Sequence, residues 1–80
     1  MKFSKTTYNM ATKYNVELCT SIDNELHIIV DPENNDCASA SYEIHKNGTM
    51  SILNNWTTNT LPDVLQDEKD LRSLVKFLTK

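Results

Sequence analysis

Eighty residues with 39% hydrophobic and 24% charged side chains, one Gly and two Pro describe a single small folded domain, not a disordered chain, with little room for a deep catalytic cleft. The formal net charge is only −3, yet seven acids (Glu17, Asp23, Glu25, Asp31, Glu33, Asp36 and Glu43) fall between Tyr14 and His45 with no Lys or Arg among them. Such a distribution argues against avid binding to a phosphate backbone, which needs clustered cations, and points to an acidic surface.

Residues 1–13 carry Lys2, Lys5 and Lys13 and no acid. Phe3, Thr7, Met10 and Tyr14 fall at helical spacing, while the threonines and Tyr8 suit an edge strand, so both conformations stay open for this segment. The polar N-terminus lacks the apolar core of a signal peptide, and no apolar run is long enough for a membrane helix. A cytoplasmic protein is expected, with Cys19 and Cys37 reduced. Asn47-Gly48-Thr49 and Asn55-Trp56-Thr57 match the glycosylation sequon, which is idle without secretion.

From residue 14 to 56 apolar side chains recur with period two, the mark of half-buried strands. Tyr14, Val16, Leu18 and Ile22 share a face, followed by Leu26, Ile28 and Val30, then Ala38, Ala40, Tyr42 and Ile44, then Met50, Ile52 and Trp56. Asn54 is the polar exception. Four such segments predict an antiparallel meander. A three-residue loop at Asp23-Asn24-Glu25 pairs Ile22 with Leu26 and Leu18 with Val30, and so keeps the apolar set together. By the same reasoning Lys46-Asn47-Gly48 forms a turn with Gly48 in the left-handed position, pairing Ile44 with Met50 and Tyr42 with Ile52.

Thr57-Thr58-Asn59-Thr60 reads as a connector and residues 61–79 as a helical region, with Thr60 and Asp63 spaced as a cap pair and a separate short turn over 61–66 left open. Leu71, Leu74, Val75 and Leu78 mark its apolar face. Asp67, Glu68 and Asp70 near its start and Lys76 and Lys80 near its end agree with the helix dipole. The expected fold is a single α+β domain over residues 1–80, a four-stranded antiparallel meander with one face covered by a C-terminal helix.

The opposite face would then present Glu17, Cys19, His27, Ile29, Asp31, Ser39, Ser41, Glu43, His45 and Leu53, with Glu17 directly opposite Asp31 and Asp23, Glu25, Glu33 and Asp36 in loops. The oxygen-rich run 31–36 lacks the Gly and terminal Glu of a calcium loop and reads as turn chemistry, so no metal or cofactor is expected. His27, His45 and Cys19 fall on an open face with no oxyanion site or metal-ligand spacing, and no catalytic residue is assigned. Tyr14, Tyr42 and Trp56 fall on the core face, leaving Tyr8 as the aromatic free to stack on a base.

The reading that results is a non-catalytic interaction protein, an inhibitor or antagonist, whose seven acids dock a basic site on a larger protein. In bulk character the chain resembles small Asn- and Thr-rich acidic proteins of mobile elements, anti-CRISPR inhibitors among them; the likeness is one of composition and assigns no residue. The alternative is a single-stranded nucleic-acid-binding protein, because four strands followed by a helix is similar to small dimeric proteins of that kind. Those need basic strands on the open face, and here the strands are acidic. Ile29 and Leu53 on that face also leave room for a homodimer.

Overall fold

The computed structural model describes residues 3–79; Lys80, the expected final cation of the C-terminal helix, lies outside them. The N-terminal segment is helical: α1 runs Lys5–Lys13. Ser4 caps it, its side chain accepting the Thr7 N–H at 3.4 Å. Phe3, Thr7 and Ala11, four residues apart, form its buried stripe. Asn15 ends the helix at φ 60, a conformation Asn tolerates better than most residues.

The strands β1 (Val16–Thr20), β2 (Glu25–Val30), β3 (Ala40–Ile44), β4 (Met50–Asn55) and β5 (Val64–Leu65) form one antiparallel sheet in chain order, and α2 (Glu68–Leu78) closes the chain. The expected α+β meander is present, with a fifth strand and a second helix added. α1 packs on β1, α2 packs on β5, and the helices touch each other. Covering the sheet is therefore shared between two helices instead of falling to α2 alone. Beneath them Leu26, Ile28, Ala40, Tyr42 and Met50 are fully buried, joined by Leu65, Leu71 and Val75.

Residues 61–67 are not helical. Asp63 offers its carbonyl to the Ile52 N–H at 2.8 Å, drawing the chain into β5. The helix starts after Asp67, whose side chain accepts the Asp70 N–H at 3.0 Å while the Asp70 carboxylate accepts the Gln66 N–H at 2.9 Å. This reciprocal cap satisfies free donors at the helix start, and it supplants the Thr60–Asp63 pair expected from spacing.

The first hairpin is one residue out of place relative to expectation. Ser21 N–H bonds to Glu25 O at 2.9 Å, so the loop is Ile22-Asp23-Asn24 and Glu25 begins β2 instead of lying in the loop. A three-residue hairpin loop needs its last residue in the left-handed region. Asn24, at φ 59, meets that need where Glu25 would be strained, and the local requirement outweighs the burial of Ile22, which is 99% exposed. Leu18 consequently faces Ile28, and Glu17 faces Ile29 and not Asp31. The shift spans two residues, so the buried face is unchanged.

The second hairpin has the expected register, Ile44 with Met50 and Tyr42 with Ile52, with Gly48 at φ 90. Between Ser41 and Tyr42 the ladder shifts and Ser41 pairs with Asn54, leaving Leu53 as an extra residue. This bulge reverses the alternation. Asn54 joins Ser41 on the uncovered side, Nδ2 donating to Oγ at 3.3 Å. Trp56, its N–H bonded to Ser39 O at 3.0 Å, is 61% exposed instead of lying in the core.

Candidate interaction surface

The register places the residues of the uncovered face in rows across the strands. One row runs Glu17, Ile29, Ser39, Trp56; the next runs Cys19, His27, Ser41, Asn54; a third runs Glu25, Glu43, Ser51, Val64. Small serines on β3 therefore lie between larger neighbours on β2 and β4. Ser41 is buried at 1% exposure although no helix covers it. Leu53 and Trp56 stand exposed beside it, the side chains of this face best suited to anchor a partner.

The seven acids all lie on the strands and their connecting loops, but they do not form one patch. Asp23, Glu25 and Glu43 lie at the end of the sheet formed by the 22–24 and 46–48 turns. Asp31, Glu33 and Asp36 lie at the other end, about 20 Å away by the rise of β2. Glu17 is on the face itself. Glu25 is directly opposite Glu43, which makes theirs the like-charge pair of the sheet. The Asn24 O to Ile44 N–H bond marks their neighbours as the hydrogen-bonded pair, so the two glutamates occupy the closer, non-bonded type of site.

Asp31 is already engaged within the chain. Its two carboxylate oxygens accept from Asn15 Nδ2 at 3.0 Å and Asn34 Nδ2 at 2.9 Å, and its own φ is 53. It staples the β2–β3 loop to the end of α1. Glu33 and Asp36 are exposed in that loop.

The cations lie elsewhere. Lys5 and Lys13 are on α1 and Lys69, Arg72 and Lys76 on α2; Lys46, in the β3–β4 turn, is the sheet-side cation among the described residues. A network ties the two helices together. Glu68 accepts from Ser4 N–H and Ser4 Oγ, both at 2.8 Å, and from Thr7 Oγ1 at 2.9 Å, with Arg72 Nη1 3.7 Å away. Partial burial pushes the Glu68 carboxyl up, but the bonds from Ser4 and Thr7 and the Arg72 charge outweigh it and hold the group below its ordinary value.

Residues with chemical potential are quiet in this setting. Desolvation, the hydrogen bond from Cys19 Sγ to Glu17 Oε1 at 3.2 Å and the Glu17 charge all raise the Cys19 thiol, favouring the unreactive protonated form. His27 Nε2 lies 3.9 Å from Glu25, and His45 Nε2 lies 2.8 Å from Ser51 Oγ. Cys37 is a free thiol in the β2–β3 loop. Among the described residues no group of three or more His, Cys, Asp or Glu is placed to hold a metal, and no helix is long and apolar enough to cross a membrane.

Two clefts flank the sheet. One, about 450 Å³, lies between β5 and α2 and is walled by Pro62, Val64, Leu65, Leu74 and Phe77. The other, about 260 Å³, lies between α1 and β1. Trp56 was expected on the core face and is exposed, whereas Val64 and Phe77, also exposed, were assigned to no face. For Trp56 the bulge is the cause, and a sequence alternating regularly up to Ile52 carries no sign of it. No protein-family model, curated protein or solved structure matches the chain.

Proposed function

We propose that this protein is a non-catalytic interaction module, an inhibitor or antagonist that presents the uncovered, acid-bearing side of its sheet to a basic surface on a larger protein. The observation that carries the reading is the separation of charge between the two layers. All seven acids of the 17–43 block are on the strands and their connecting loops, where Lys46 is the one described cation. The helices carry five described cations against Asp67, Glu68 and Asp70 at the start of α2. Such a field steers a basic partner toward the sheet. Glu25 and Glu43 offer two adjacent carboxylates for one guanidinium or ammonium group, and a partner cation there would relieve their repulsion. Leu53 and Trp56 supply apolar area farther along the sheet, Trp56 two rows from the glutamate pair. Asp31 contributes less directly, because each of its oxygens already accepts one bond within the chain.

The test is capture of host proteins on the immobilised chain, compared with the Glu25→Lys/Glu43→Lys double variant. The expected result is a basic protein that is retained at low salt, released at high salt, and lost on the double variant while its melting temperature holds. Capture indifferent to salt and to both substitutions would end the proposal. Tight binding to a single-stranded oligonucleotide with a steep salt slope would replace it with the nucleic-acid reading.

A further inference from the structure

The two edges of the sheet differ. At β5, Pro62 has no N–H to offer and the Gln66 N–H is taken by Asp70, so the exposed backbone is confined to a two-residue strand. At β1 the guards are fewer: α1 packs on the strand and Glu17 places one charge on it. Val16–Thr20 contains no Pro, no Lys and no bulge, the usual devices that blunt an edge.

Its hydrogen-bond phase follows from two contacts. Ser21 N–H bonds to Glu25 O, and Asp31 N–H bonds to Asn15 O, both at 2.9 Å. Odd-numbered residues of β1 therefore direct their backbone groups toward β2. Val16, Leu18 and Thr20 direct theirs away from β2, with Thr20 exposed, Leu18 8% exposed and Val16 3% exposed, so the open part of the edge is its Leu18–Thr20 end.

The surroundings of this edge define what fits. Tyr8, Ala11 and Thr12 of α1, with Val16, Glu17 and Leu18 of β1, line the 260 Å³ cleft. Glu17 and Leu18 point to opposite faces of the sheet, so a cleft touching both runs along the edge itself. On the helix side it offers the half-buried Tyr8 ring to an apolar side chain. On the open side it offers the Glu17 carboxylate, and neither β1 nor β2 contains a Lys or Arg.

We propose that the outer edge of β1 is a strand-addition site that takes an extended segment of a partner protein in which cationic and apolar residues alternate. This rests on the basic-partner reading above and specifies which part of that partner engages. Backbone pairing supplies affinity, and the period-two alternation supplies selectivity: apolar side chains enter the α1 cleft and cations meet Glu17. A second copy of this chain fits less well. Antiparallel pairing of two β1 strands about Leu18 would satisfy the same outward groups, but it would bring both copies of Glu17 to one seam with no cation in either strand.

The experiment titrates a labelled, end-blocked peptide of alternating valine and lysine with the full chain and follows anisotropy. Saturable binding is expected, weaker by about ten-fold for a valine–glutamate control, for a peptide N-methylated at alternate amides, and for Thr20→Pro, which removes an outward donor. Should Thr20→Pro unfold, Glu17→Arg keeps the backbone edge and is expected to reverse the peptide preference. Absence of valine–lysine binding to the folded chain, or equal binding by folded Thr20→Pro, overturns the site. A concentration-dependent dimer in sedimentation that Thr20→Pro abolishes overturns the assignment by giving the edge to a second copy. Two outcomes separate this inference from the reading beneath it. Normal capture of a basic protein by Thr20→Pro, lost on Glu25→Lys/Glu43→Lys, removes the edge site and leaves the acidic face. Equal binding of both peptides, lost in Thr20→Pro, removes the basic partner.

Discussion

Glu25 on β2 stands directly across the ladder from Glu43 on β3, with His27 Nε2 3.9 Å from the Glu25 carboxylate. Directly opposed like charges cost a sheet stability, so Glu43→Gln is expected to stabilise the fold by roughly 0.2–1 kcal/mol in urea denaturation. Added salt should stabilise the parent chain more than the variant, because screening relieves the same repulsion. A lower midpoint for Glu43→Gln would mean that the pair is not in tension.

Tyr42 spans the core and ends on a polar contact, its hydroxyl donating to Pro62 O at 2.8 Å. Burial, assisted by the Asp63 charge, raises its pKa from 10.0 to about 12. The fold therefore favours the neutral phenol. Its contribution is complete below the ordinary tyrosine value and drains away as pH climbs toward about 12. Tyr42→Phe should lower stability at neutral pH by about 1–2 kcal/mol, and it should remove part of the alkaline loss between those two values. Parallel stability curves for parent and variant from pH 9 upward would refute the assignment.

At the acid end the sensitive group is Glu68. Its carboxyl is lowered in the fold, so the stabilisation it gives is complete above the ordinary carboxylate value and is lost as pH falls through the lowered one. Glu68→Gln is expected to cost about 1 kcal/mol at neutral pH and to flatten the acid limb of the stability curve. Amide exchange along α1 should quicken more than exchange in β2 and β3, because the lost bonds hold α1 to α2 and not the sheet to itself.

Trp56 separates surface from core. At 61% exposure its removal leaves no sealed cavity, and Trp56→Ala should shift stability by less than about 1 kcal/mol, against 2–5 for Leu26→Ala in the core. The same Trp56→Ala variant should lose captured partner. A large drop in its melting temperature would place the indole in the fold's own packing.

Asn24 sets the first hairpin. Asn24→Gly should be tolerated and Asn24→Ala should cost about 1 kcal/mol, because alanine resists φ near 59. Near-equal urea midpoints for the two variants would argue against a left-handed residue as the determinant of register.

Alternation of Val16, Leu18, Leu26, Ile28, Ala40, Tyr42, Ile44 and Met50 was sufficient to recover the buried face and the meander, since period-two burial leaves a direct trace in sequence. The Asn47-Gly48 turn was equally legible, because glycine is the natural occupant of a left-handed site. What the pattern could not convey were decisions made by backbone groups. Asn24 took the left-handed position at the expense of Ile22, Leu53 slipped in as a bulge, and Asp67 with Asp70 built a better cap than Thr60 with Asp63. The candidate site inherited each of these. Glu25 moved from a loop into a strand, Glu17 lost Asp31 as its neighbour, and Trp56 emerged on the surface. α1 was ambiguous because its stripe includes Thr7, a polar residue buried through its bonds to Glu68 and Arg72, partners more than sixty positions away.

The bonds from Ser4 to Glu68 join points 64 residues apart, so they cannot form until everything between Ser4 and Glu68 has left the ribosome. The hairpins, closed by three-residue loops, need no such wait and can zip as they are made. During synthesis the meander therefore passes through an interval in which α2 has not arrived and the apolar side of β3 and β4 is bare. The clasp between Ser4 and Glu68 is the event that closes this interval. Exposure to aggregation is then set by how fast α2 finds α1.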